Sequence, residues 1–388
     1  MIEKGNFKLG ATFQPQESSK FVRRSDDVRV SAVLVLNDRP LSAESIGKFA
    51  SPKRDEFCKR SLSCVEILGQ SLLERTVARL RNAGVQAISV IGGTDLSSLP
   101  SHRDLEVTIA NRPTERWSAA QRTVISHRAK GFDIVLMVGL GAYMEVNVAD
   151  VVRFHLAHGK PLTQLEDNQG SLDFWVVDST WFSTAANGCT LPFRYGEFPG
   201  LPVPCRVNGY VNRMQEARDL RRLVLDAFLS RCEITPRGRE VRPGIWIDEA
   251  ARVHKSARLV APLYLGYSTK IGPSAVITRF SNLERRSQVG AGTVVENATI
   301  LPHTVLGSGL EVSGAVVDGN RFVDLDRNIA LQIEDPRLIR DATPSPWFAP
   351  AHRGSELRPN RGNEVPDYGY SQYLSRAAGR LSEVLFKG

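Results

Sequence analysis

Residues 247–306 have the sequence IDEAARVHKSARLVAPLYLGYSTKIGPSAVITRFSNLERRSQVGAGTVVENATILPHTVL, in which an aliphatic residue returns at every sixth position. The ten aliphatic positions are Ile247, Val253, Leu259, Leu265, Ile271, Ile277, Leu283, Val289, Val295 and Leu301. Four residues after each lies a residue that is mostly small or β-branched: Ala251, Ala257, Leu263, Thr269, Ala275, Ser281, Ser287, Thr293, Thr299 and Val305. A period of six is neither the 3.6-residue period of a helix nor the simple alternation of a lone strand.

This period is the signature of a hexapeptide-repeat parallel β-helix, in which each hexad forms one side of a triangular coil. We expect the aliphatic side chains to point into the prism and the small residues to lie near its corners. Gly266, Gly272 and Gly290 directly follow their aliphatic residues, where glycine permits unusual backbone shapes. Ten hexads, at three per coil, predict a little over three coils. The stretch resembles left-handed hexapeptide β-helices.

The whole chain has the composition of an ordinary globular protein. Its 388 residues are 42% hydrophobic and 24% charged, which predicts two or three domains. No apolar run approaches the roughly 20 residues that cross a bilayer, and the N-terminus lacks the apolar core of a secretory signal. The five cysteines show no metal-binding spacing, which favours reduced thiols and a cytoplasmic protein.

The net charge is +8, but no nucleic-acid-binding motif accompanies the basic residues. We therefore interpret them as a solvated surface and expect no nucleic-acid partner.

The chain divides into five predicted segments. These are a flexible arm (1–28), an α/β domain (29–235), a hexapeptide β-helix (240–340), a proline-rich linker (341–368) and a C-terminal amphipathic helix (369–388). Residues 318–340, with Leu325, Ile329, Leu331 and Ile333, are expected to cap the last coil. The C-terminal helix carries the stripe Leu374, Ala378, Leu381 and Leu385. We expect it to pack back onto the body, with docking to a partner or a membrane surface as the alternative.

Within the α/β segment, strands and helices alternate. An unbroken apolar run at 31–36 predicts a buried strand, and residues 37–62 predict a long loop. Ser71 and Glu74 form a capping box at the start of an amphipathic helix that Gly84 ends. Further strands are predicted at 85–91, 105–109, 132–138, 161–166 and 172–177, and further helices at 115–130, 148–158 and 214–230. This alternation indicates a mainly parallel sheet.

Four short segments resemble those of one enzyme family. They are VEILGQSLLERTVARLRNAGV (65–85), FDIVLMVG (132–139), DVVRFHLAHG (150–159) and NGYVN (208–212). Together with the C-terminal repeat they resemble the sugar-1-phosphate nucleotidyltransferases (NDP-sugar pyrophosphorylases, such as mannose-1-phosphate guanylyltransferases) over about residues 30–330. The resemblance implies a Rossmann-like nucleotidyltransferase domain followed by a left-handed parallel β-helix.

The family reaction joins a sugar-1-phosphate to the α-phosphate of a nucleoside triphosphate. The resemblance implies a glycine-rich GGxGTRL phosphate loop, a lysine in a PKPL motif and two aspartates that bind Mg²⁺. This sequence departs at each of them. The chain after Leu36 has no glycine for the phosphate loop, and Leu62 and Ser63 stand at the Lys and Pro positions. Leu140 and Arg213 stand at the two aspartate positions, and neither side chain can bind Mg²⁺.

A few residues could replace the missing groups. Arg39 and Lys53 are the candidate catalytic cations, and Asn37, Asp38 and Glu166 are candidate ligand-binding residues. Glu145 and Asp150 follow the lost metal position and are interpreted as a solvated loop and a helix start.

A different chemistry would use the histidines of the repeat. His254 or His303 could serve as the general base of a hexapeptide acyltransferase, although solvent-facing histidines are the favoured interpretation of both.

The sequence thus predicts a nucleotidyltransferase-like protein with a degenerate catalytic site. It would be a regulatory, scaffolding or nucleotide-sugar-binding subunit in polysaccharide or glycoconjugate biosynthesis, forming a homo- or hetero-oligomer that could include an active paralogue. The alternatives are an active nucleotidyltransferase with a rebuilt site and an acyltransferase. No metal site or cofactor is predicted, and only the active alternative needs Mg²⁺.

Overall fold

The computed structural model describes residues 28–36, 62–93, 105–187 and 201–342. The predicted arm, almost all of the 37–62 loop, the proline-rich linker and the C-terminal helix lie outside these ranges, apart from Val28, Leu62 and the first residues of the linker. None of the helices within the described ranges combines the length and apolar character that a bilayer crossing needs.

The N-terminal part of the described chain, here called the sheet region, alternates strands and helices. In chain order its elements are β1 (Val30–Leu36), a 3-10 turn (Leu62–Cys64), β2 (Glu66–Ile67), β3 (Gln70–Ser71), α1 (Leu72–Asn82), β4 (Ala87–Gly92), β5 (Glu106–Ile109), α2 (Pro113–Ala129), β6 (Ile134–Leu140), β7 (Tyr143–Met144), α3 (Val148–His158), β8 (Leu162–Asp167), β9 (Gly170–Asp178), α4 (Ser179–Asn187), β10 (Val203–Arg206), β11 (Val211–Asn212) and α5 (Ala217–Phe228).

Seven of these strands form one sheet in the order β10-β8-β9-β6-β1-β4-β5. Every strand runs parallel to the others except β9, which is antiparallel to both neighbours. Helices α1 and α3 pack on one face of the sheet, and α2 and α4 pack on the other. Strand β1 is therefore covered on both sides, which is why its sequence is an unbroken apolar run.

The capping signals of α1 are confirmed. Ser71 accepts a hydrogen bond from the Glu74 N–H, Glu74 accepts one from the Ser71 N–H, and Gly84 takes a left-handed φ of +82° after the helix. The sequence prediction missed α4 and β10. Helix α4 begins at Ser179 and contains Ser and Thr residues, whose weak helix propensity hid it.

The C-terminal part, residues 237–342, is here called the coil region. Its strands are β12 (Arg239–Arg242), β13 (Ile245–Ile247), β14 (Arg252–Val253), β15 (Arg258–Leu259), β16 (Leu263–Leu265), β17 (Lys270–Ile271), β18 (Val276–Thr278), β19 (Ser281–Leu283), β20 (Gln288–Val289), β21 (Val294–Glu296), β22 (Thr299–Ile300), β23 (Thr304–Leu306), β24 (Glu311–Ser313), β25 (Ala315–Asp318), β26 (Arg321–Asp324), β27 (Ile329–Gln332) and β28 (Ile339–Asp341).

Every third short strand joins the same sheet. Strands β13, β16, β19, β22 and β25 therefore pair in parallel, one above the other. Two further parallel stacks contain β14-β17-β20-β23 and β15-β18-β21-β24. The first returns take 18 residues, as in the pair Ile247↔Leu265, which is three hexads. The aliphatic residues of the repeat meet in one buried cluster inside these stacks.

One inward residue was predicted wrongly. Leu283 pairs with Ile300, 17 residues on, because the turn after Val295 is one residue shorter than the turn after Ile277. Ile300 therefore lies inside the stack, and Leu301 packs instead against the sheet region. The 17-residue returns continue to Val317, so the region has about four coils rather than a little over three.

The end of the stack is covered by antiparallel strands, as the cap prediction implied. β26 and β27 extend the first stack, and β28 pairs with β23. Ile339 is buried among the inward aliphatic residues, and Ile333 packs against them. The prediction was wrong for Leu331, which is 42% exposed.

Helix α5 lies between the two regions. Its buried face includes Leu220, Arg221 and Val224, and it shares an apolar cluster with Tyr264 and Val316 of the first stack. Because Tyr264, Asn282, Thr299 and Val316 follow each other in register, their outward side chains form one row toward the helix.

Candidate functional site

The carboxyl edge of the seven-stranded sheet is where a ligand is expected, since open α/β sheets bind ligands in the crevice outside the carboxyl ends of their strands. Six parallel strands end there, and four of them, β1, β4, β6 and β8, end with Leu36, Gly92, Leu140 and Asp167. Side chains close three of these four strand ends.

The end of β6 is closed by Ser63. Leu140 is fully buried, and its carbonyl oxygen accepts a hydrogen bond of 2.7 Å from the Ser63 hydroxyl. The strand end that would carry a metal-binding aspartate thus presents an aliphatic side chain that faces the core. No oxygen ligand for a cation is available from this side chain.

The end of β1 is closed by Arg116 of α2. This guanidinium, 4% exposed, donates to the carbonyl oxygens of Leu36 (3.1 Å) and Ala110 (2.6 Å). It also lies so close to Gly93 that a Cβ atom there would come within 2.9 Å of its Nη2 atom. Sequence reasoning missed Arg116, because nothing in a helical stretch indicates that one arginine reaches back to a strand end.

The end of β8 is closed by Arg213. Its guanidinium binds both carboxylate oxygens of Asp167, at 2.6 Å and 3.3 Å, and donates to the carbonyl oxygen of Gly170 at 2.9 Å. Hydrogen bonding from Arg213 lowers the pKa of Asp167. A positive charge therefore stands at the second predicted aspartate position and is neutralised by a neighbouring strand end.

The other predicted residues have ordinary structural surroundings. Glu166 is half-buried, and its carbonyl oxygen accepts from the Val207 N–H at 2.8 Å. Asp150 is exposed in the first turn of α3 and pairs with Arg153, which confirms the helix start. Asn37, Asp38, Arg39 and Lys53 lie outside the described residues. Among the described residues, no three His, Cys, Asp or Glu side chains are grouped so that they could hold a metal ion.

A cavity of about 620 Å³ opens between α3 and the segment 205–209, which leaves β10 at the same edge of the sheet. Its lining mixes charge, amide and apolar groups, including Arg79, Glu145, Asn147, Phe154, Arg206 and Glu233.

Polar contacts hold one wall of this cavity in place. Arg79 donates to the carbonyl oxygen of Met144 and to Glu233 (3.0 Å), and Tyr143 donates to Glu145 (2.7 Å). Burial raises the pKa of the Tyr143 hydroxyl, which stays protonated. Glu145 is thus a structural acceptor rather than a solvated loop residue, and that interpretation was wrong.

The cavity contains one thiol and an open, polar mouth. Its one thiol, Cys205, is buried, and burial raises the pKa of that thiol, which disfavours the nucleophilic thiolate. Arg206 and Asn208 are exposed at the opening, where they can meet an anionic or hydroxylated ligand.

The histidines considered for acyl transfer lie apart from this cavity. His254 is exposed and its Nδ1 lies 2.8 Å from the Ser256 hydroxyl. His303 is half-buried in a turn with a φ of +65°. The solvent-facing interpretation is confirmed for His254 and holds only in part for His303.

A buried polar group, Glu284, lies at the interface of the two regions. Its carboxylate is fully buried and accepts from the N–H groups of Leu68 (2.7 Å) and Gly69 (3.0 Å) and from the Asn282 amide (2.8 Å). Leu68 and Gly69 are the two-residue turn between β2 and β3, and both have positive φ. Burial raises the pKa of Glu284 to about 8.

A buried guanidinium lies beside it. Arg221 of α5 donates to the Asn282 side chain (3.4 Å), the Asn297 side chain (2.8 Å) and the Phe280 carbonyl oxygen (2.8 Å). Asn282 therefore bridges Arg221 and Glu284. Sequence reasoning missed this cluster, although Glu284 occupies a repeat position that is glycine at 266, 272 and 290.

The comparisons with known proteins do not assign a family. No protein-family model matches this chain, and no curated protein matches it closely enough to count as a relative.

Proposed function

We propose that this chain is a sugar-1-phosphate nucleotidyltransferase-like protein whose catalytic site has been replaced. It would act as a regulatory or scaffolding subunit, or as a nucleotide-sugar-binding subunit, in polysaccharide or glycoconjugate biosynthesis. It would assemble as a homo- or hetero-oligomer, in the second case with an active paralogue.

The order of the architecture supports this proposal. A seven-stranded, mostly parallel sheet with helices on both faces precedes three parallel stacks with an 18-residue return. We interpret the first as a Rossmann-like nucleotidyltransferase domain and the second as a left-handed parallel β-helix. The four sequence segments that resemble the family lie on α1, β6, α3 and the turn before β11.

One observation carries the loss of catalysis: the bidentate contact of Arg213 with Asp167. Nucleotidyl transfer brings two anions together, and the family relies on Mg²⁺ held by carboxylates to allow this. A guanidinium in place of one carboxylate, already bound to the nearest other one, leaves no acidic pair for the metal. The buried Leu140 removes the other ligand.

The cavity beside α3 supports retained binding. Of its two guanidinium groups, Arg79 is held by Glu233, whereas Arg206 is exposed and can contact a diphosphate. The Asn147 and Asn208 side chains at the same opening are suited to sugar hydroxyl groups.

The test is pyrophosphate release by the purified full chain with Mg²⁺, across all nucleoside triphosphates and a panel of sugar-1-phosphates, with an intact family enzyme as positive control. We expect no turnover, together with an increase in melting temperature on adding a nucleotide sugar. Arg206→Ala should remove that increase, whereas Arg128→Ala, on an exposed position of α2, should leave it unchanged.

Turnover that disappears in Arg39→Ala or Lys53→Ala would contradict the proposal and establish the active alternative with a rebuilt site. Consumption of acyl-CoA that depends on His254 or His303 would establish the acyltransferase alternative. Absence of both turnover and nucleotide-sugar binding would leave the scaffolding role.

A further inference from the structure

The charges of the coil region are separated along its length. Residues 237–290 contain ten Lys and Arg against four Asp and Glu, whereas residues 291–342 contain four against eight. The first coils thus carry a net charge of +6 and the last coils a net charge of −4. The overall net charge of +8 hides this separation.

Six exposed basic side chains lie on the first coils and form no ion pair with any described carboxylate. We call them the basic end: Arg239, Arg242, Arg252, Lys255, Arg258 and Lys270. Arg252 and Lys270 are direct neighbours in register on β14 and β17. Like charges placed opposite each other on adjacent strands destabilise a sheet, so this arrangement is a cost to the fold itself.

The same end exposes aliphatic surface. β14 and β15 are the outermost strands of their stacks within the described residues. The inward residues of this coil, Val253 and Leu259, are only half-buried, whereas Ile271 and Ile277 of the next coil are buried. Val260, next to Leu259, is 37% exposed.

We propose that the basic end and the aliphatic surface it surrounds bind an anionic lipid bilayer. Aliphatic groups enter the interface between headgroups and acyl chains, while surrounding Lys and Arg side chains contact anionic headgroups. Exposed aliphatic groups and surrounding Lys and Arg side chains are both present at one end of the stack. A nucleic acid would use the cations but gain nothing from exposed valine and leucine, so the lipid surface fits the observations better.

This inference goes beyond the proposed function and does not depend on it. It places the first coils at the bilayer and directs the acidic last coils away from it, with the sheet region beside the stack. Catalytic or not, the sheet region would then be held near a lipid surface through its contacts at α5.

The test is co-sedimentation of the full chain with vesicles of phosphatidylcholine alone or with about one-third phosphatidylglycerol, at about 0.05 M and about 0.3 M NaCl. We expect binding only to the anionic vesicles, weakened at the higher salt. In Arg252→Glu/Arg258→Glu, partitioning should fall roughly 25-fold or more, since each cation near an anionic surface contributes about a factor of five. Val260→Asp should reduce it without changing the number of cations.

Lys160→Glu/Arg340→Glu is the matched control, because both side chains are exposed, form no described ion pair and give the same change in net charge. It should bind like the unmodified chain. Equal binding to neutral vesicles, unchanged binding of the Arg252/Arg258 variant, or retention on a soluble polyanion without vesicle binding would each overturn the proposal. Unchanged binding in that variant would assign membrane contact to another segment.

Discussion

The carboxyl edge of the sheet and the interface between the sheet and coil regions both contain arginines, but the two places use them differently. At the edge, Arg116 and Arg213 bond to strand-end oxygens that belong to the same region. At the interface, Arg221 leaves its own helix and bonds to three turns and strands of the coil region. The contacts at the edge cover strand ends within the sheet region, whereas the contacts at the interface join the sheet region to the coil region.

The two places also differ in burial. The side chains of Arg213 and Asp167 are 22% and 14% exposed, so water still reaches the pair. Arg221 is 3% exposed and Glu284 is fully buried. Burial lowers the pKa of Arg221 to about 10. Burial, together with the nearby Glu66 carboxylate, raises the pKa of Glu284 to about 8, although hydrogen bonds from Asn282, Leu68 and Gly69 act in the opposite direction.

Buried charges persist only when nearly every polar atom is bonded, because an unbonded buried ion costs several kcal/mol. At the interface Asn282 accepts from Arg221 and donates to Glu284, and of the Arg221 nitrogens only Nε is without a hydrogen-bond partner among the described residues. In this molecule the buried, hydrogen-bonded cluster of Arg221, Asn282 and Glu284 therefore connects the two regions. It does not lie at the edge of the sheet, where a ligand is expected. Three predictions test that contrast, in decreasing order of effect.

Arg221→Met should cause the largest loss. The substitution removes the donor to the half-buried acceptors of Asn297 and Phe280 and leaves the buried Asn282 oxygen with Thr299 as its donor. It also removes the cation that Asn282 bridges to Glu284. We expect the free energy of unfolding to fall by about 3–5 kcal/mol, measured by urea denaturation. A loss confined to one of two separate transitions would show that the regions unfold independently.

Arg222→Met is the matched control. Arg222 is the next residue on α5, its side chain is 77% exposed, and its nearest carboxylate lies 3.9 Å away on Asp226. Its substitution should change stability by less than about 0.5 kcal/mol. Similar losses in both variants would mean that α5, and not the buried guanidinium, accounts for the effect.

Glu284→Gln should have an intermediate effect that depends on pH. The amide can accept on one side only, so one of the two turn N–H groups loses its acceptor, at a cost of about 1–3 kcal/mol. Glu284 has a folded-state pKa of about 8, above the ordinary value of 4.5. Its stabilising contribution is therefore complete below about pH 4.5 and is lost as the pH rises through 8.

The melting temperature of the unmodified chain should consequently fall between pH 6 and pH 8, and the fall should be smaller in Glu284→Gln. Glu311→Gln, on an exposed coil position, should keep the unmodified slope. On the acid side, the expected change in stability with pH has the opposite sign. Burial lowers the pKa of His127 below its ordinary 6.5, so the stability that this residue contributes is lost as the pH falls below that value. Equal alkaline slopes in all three chains would exclude Glu284 as the titrating group.

Much of this architecture could be predicted from the sequence, and the reasons are local. The six-residue period gave the inward residues from Leu265 to Val295, because each hexad repeats one backbone geometry. It failed at Leu301 because a single residue missing from one turn shifts every later position. The capping box of α1 could be predicted for the same reason, since Ser71 and Glu74 act within one turn.

The interface could not be predicted, because its contacts join residues far apart in sequence. Glu284 and Leu68 are 216 residues apart, and Arg221 and Asn282 are 61 apart. Neither pair has a local pattern. At the edge, the family resemblance predicted that Leu140 and Arg213 stand at the two aspartate positions, but not that Ser63 and Arg116 close the strand ends. The identity of one residue at one position is enough for the first conclusion. The second depends on contacts that only the folded chain brings together.

Arg213→Ala should have the smallest effect. A partly exposed ion pair contributes little to stability, about 1 kcal/mol or less, because water screens it and the freed Asp167 can be hydrated. Urea denaturation should therefore show a shift close to that of Arg153→Ala, an exposed pair on α3. The variant should also release no pyrophosphate, since removing the guanidinium restores neither carboxylate ligand. A loss comparable to that of Arg221→Met would contradict this contrast. It would show that the contacts at the edge stabilise the fold as much as those at the interface. A gain of Mg²⁺-dependent turnover would instead mean that Arg213 alone keeps the edge inactive.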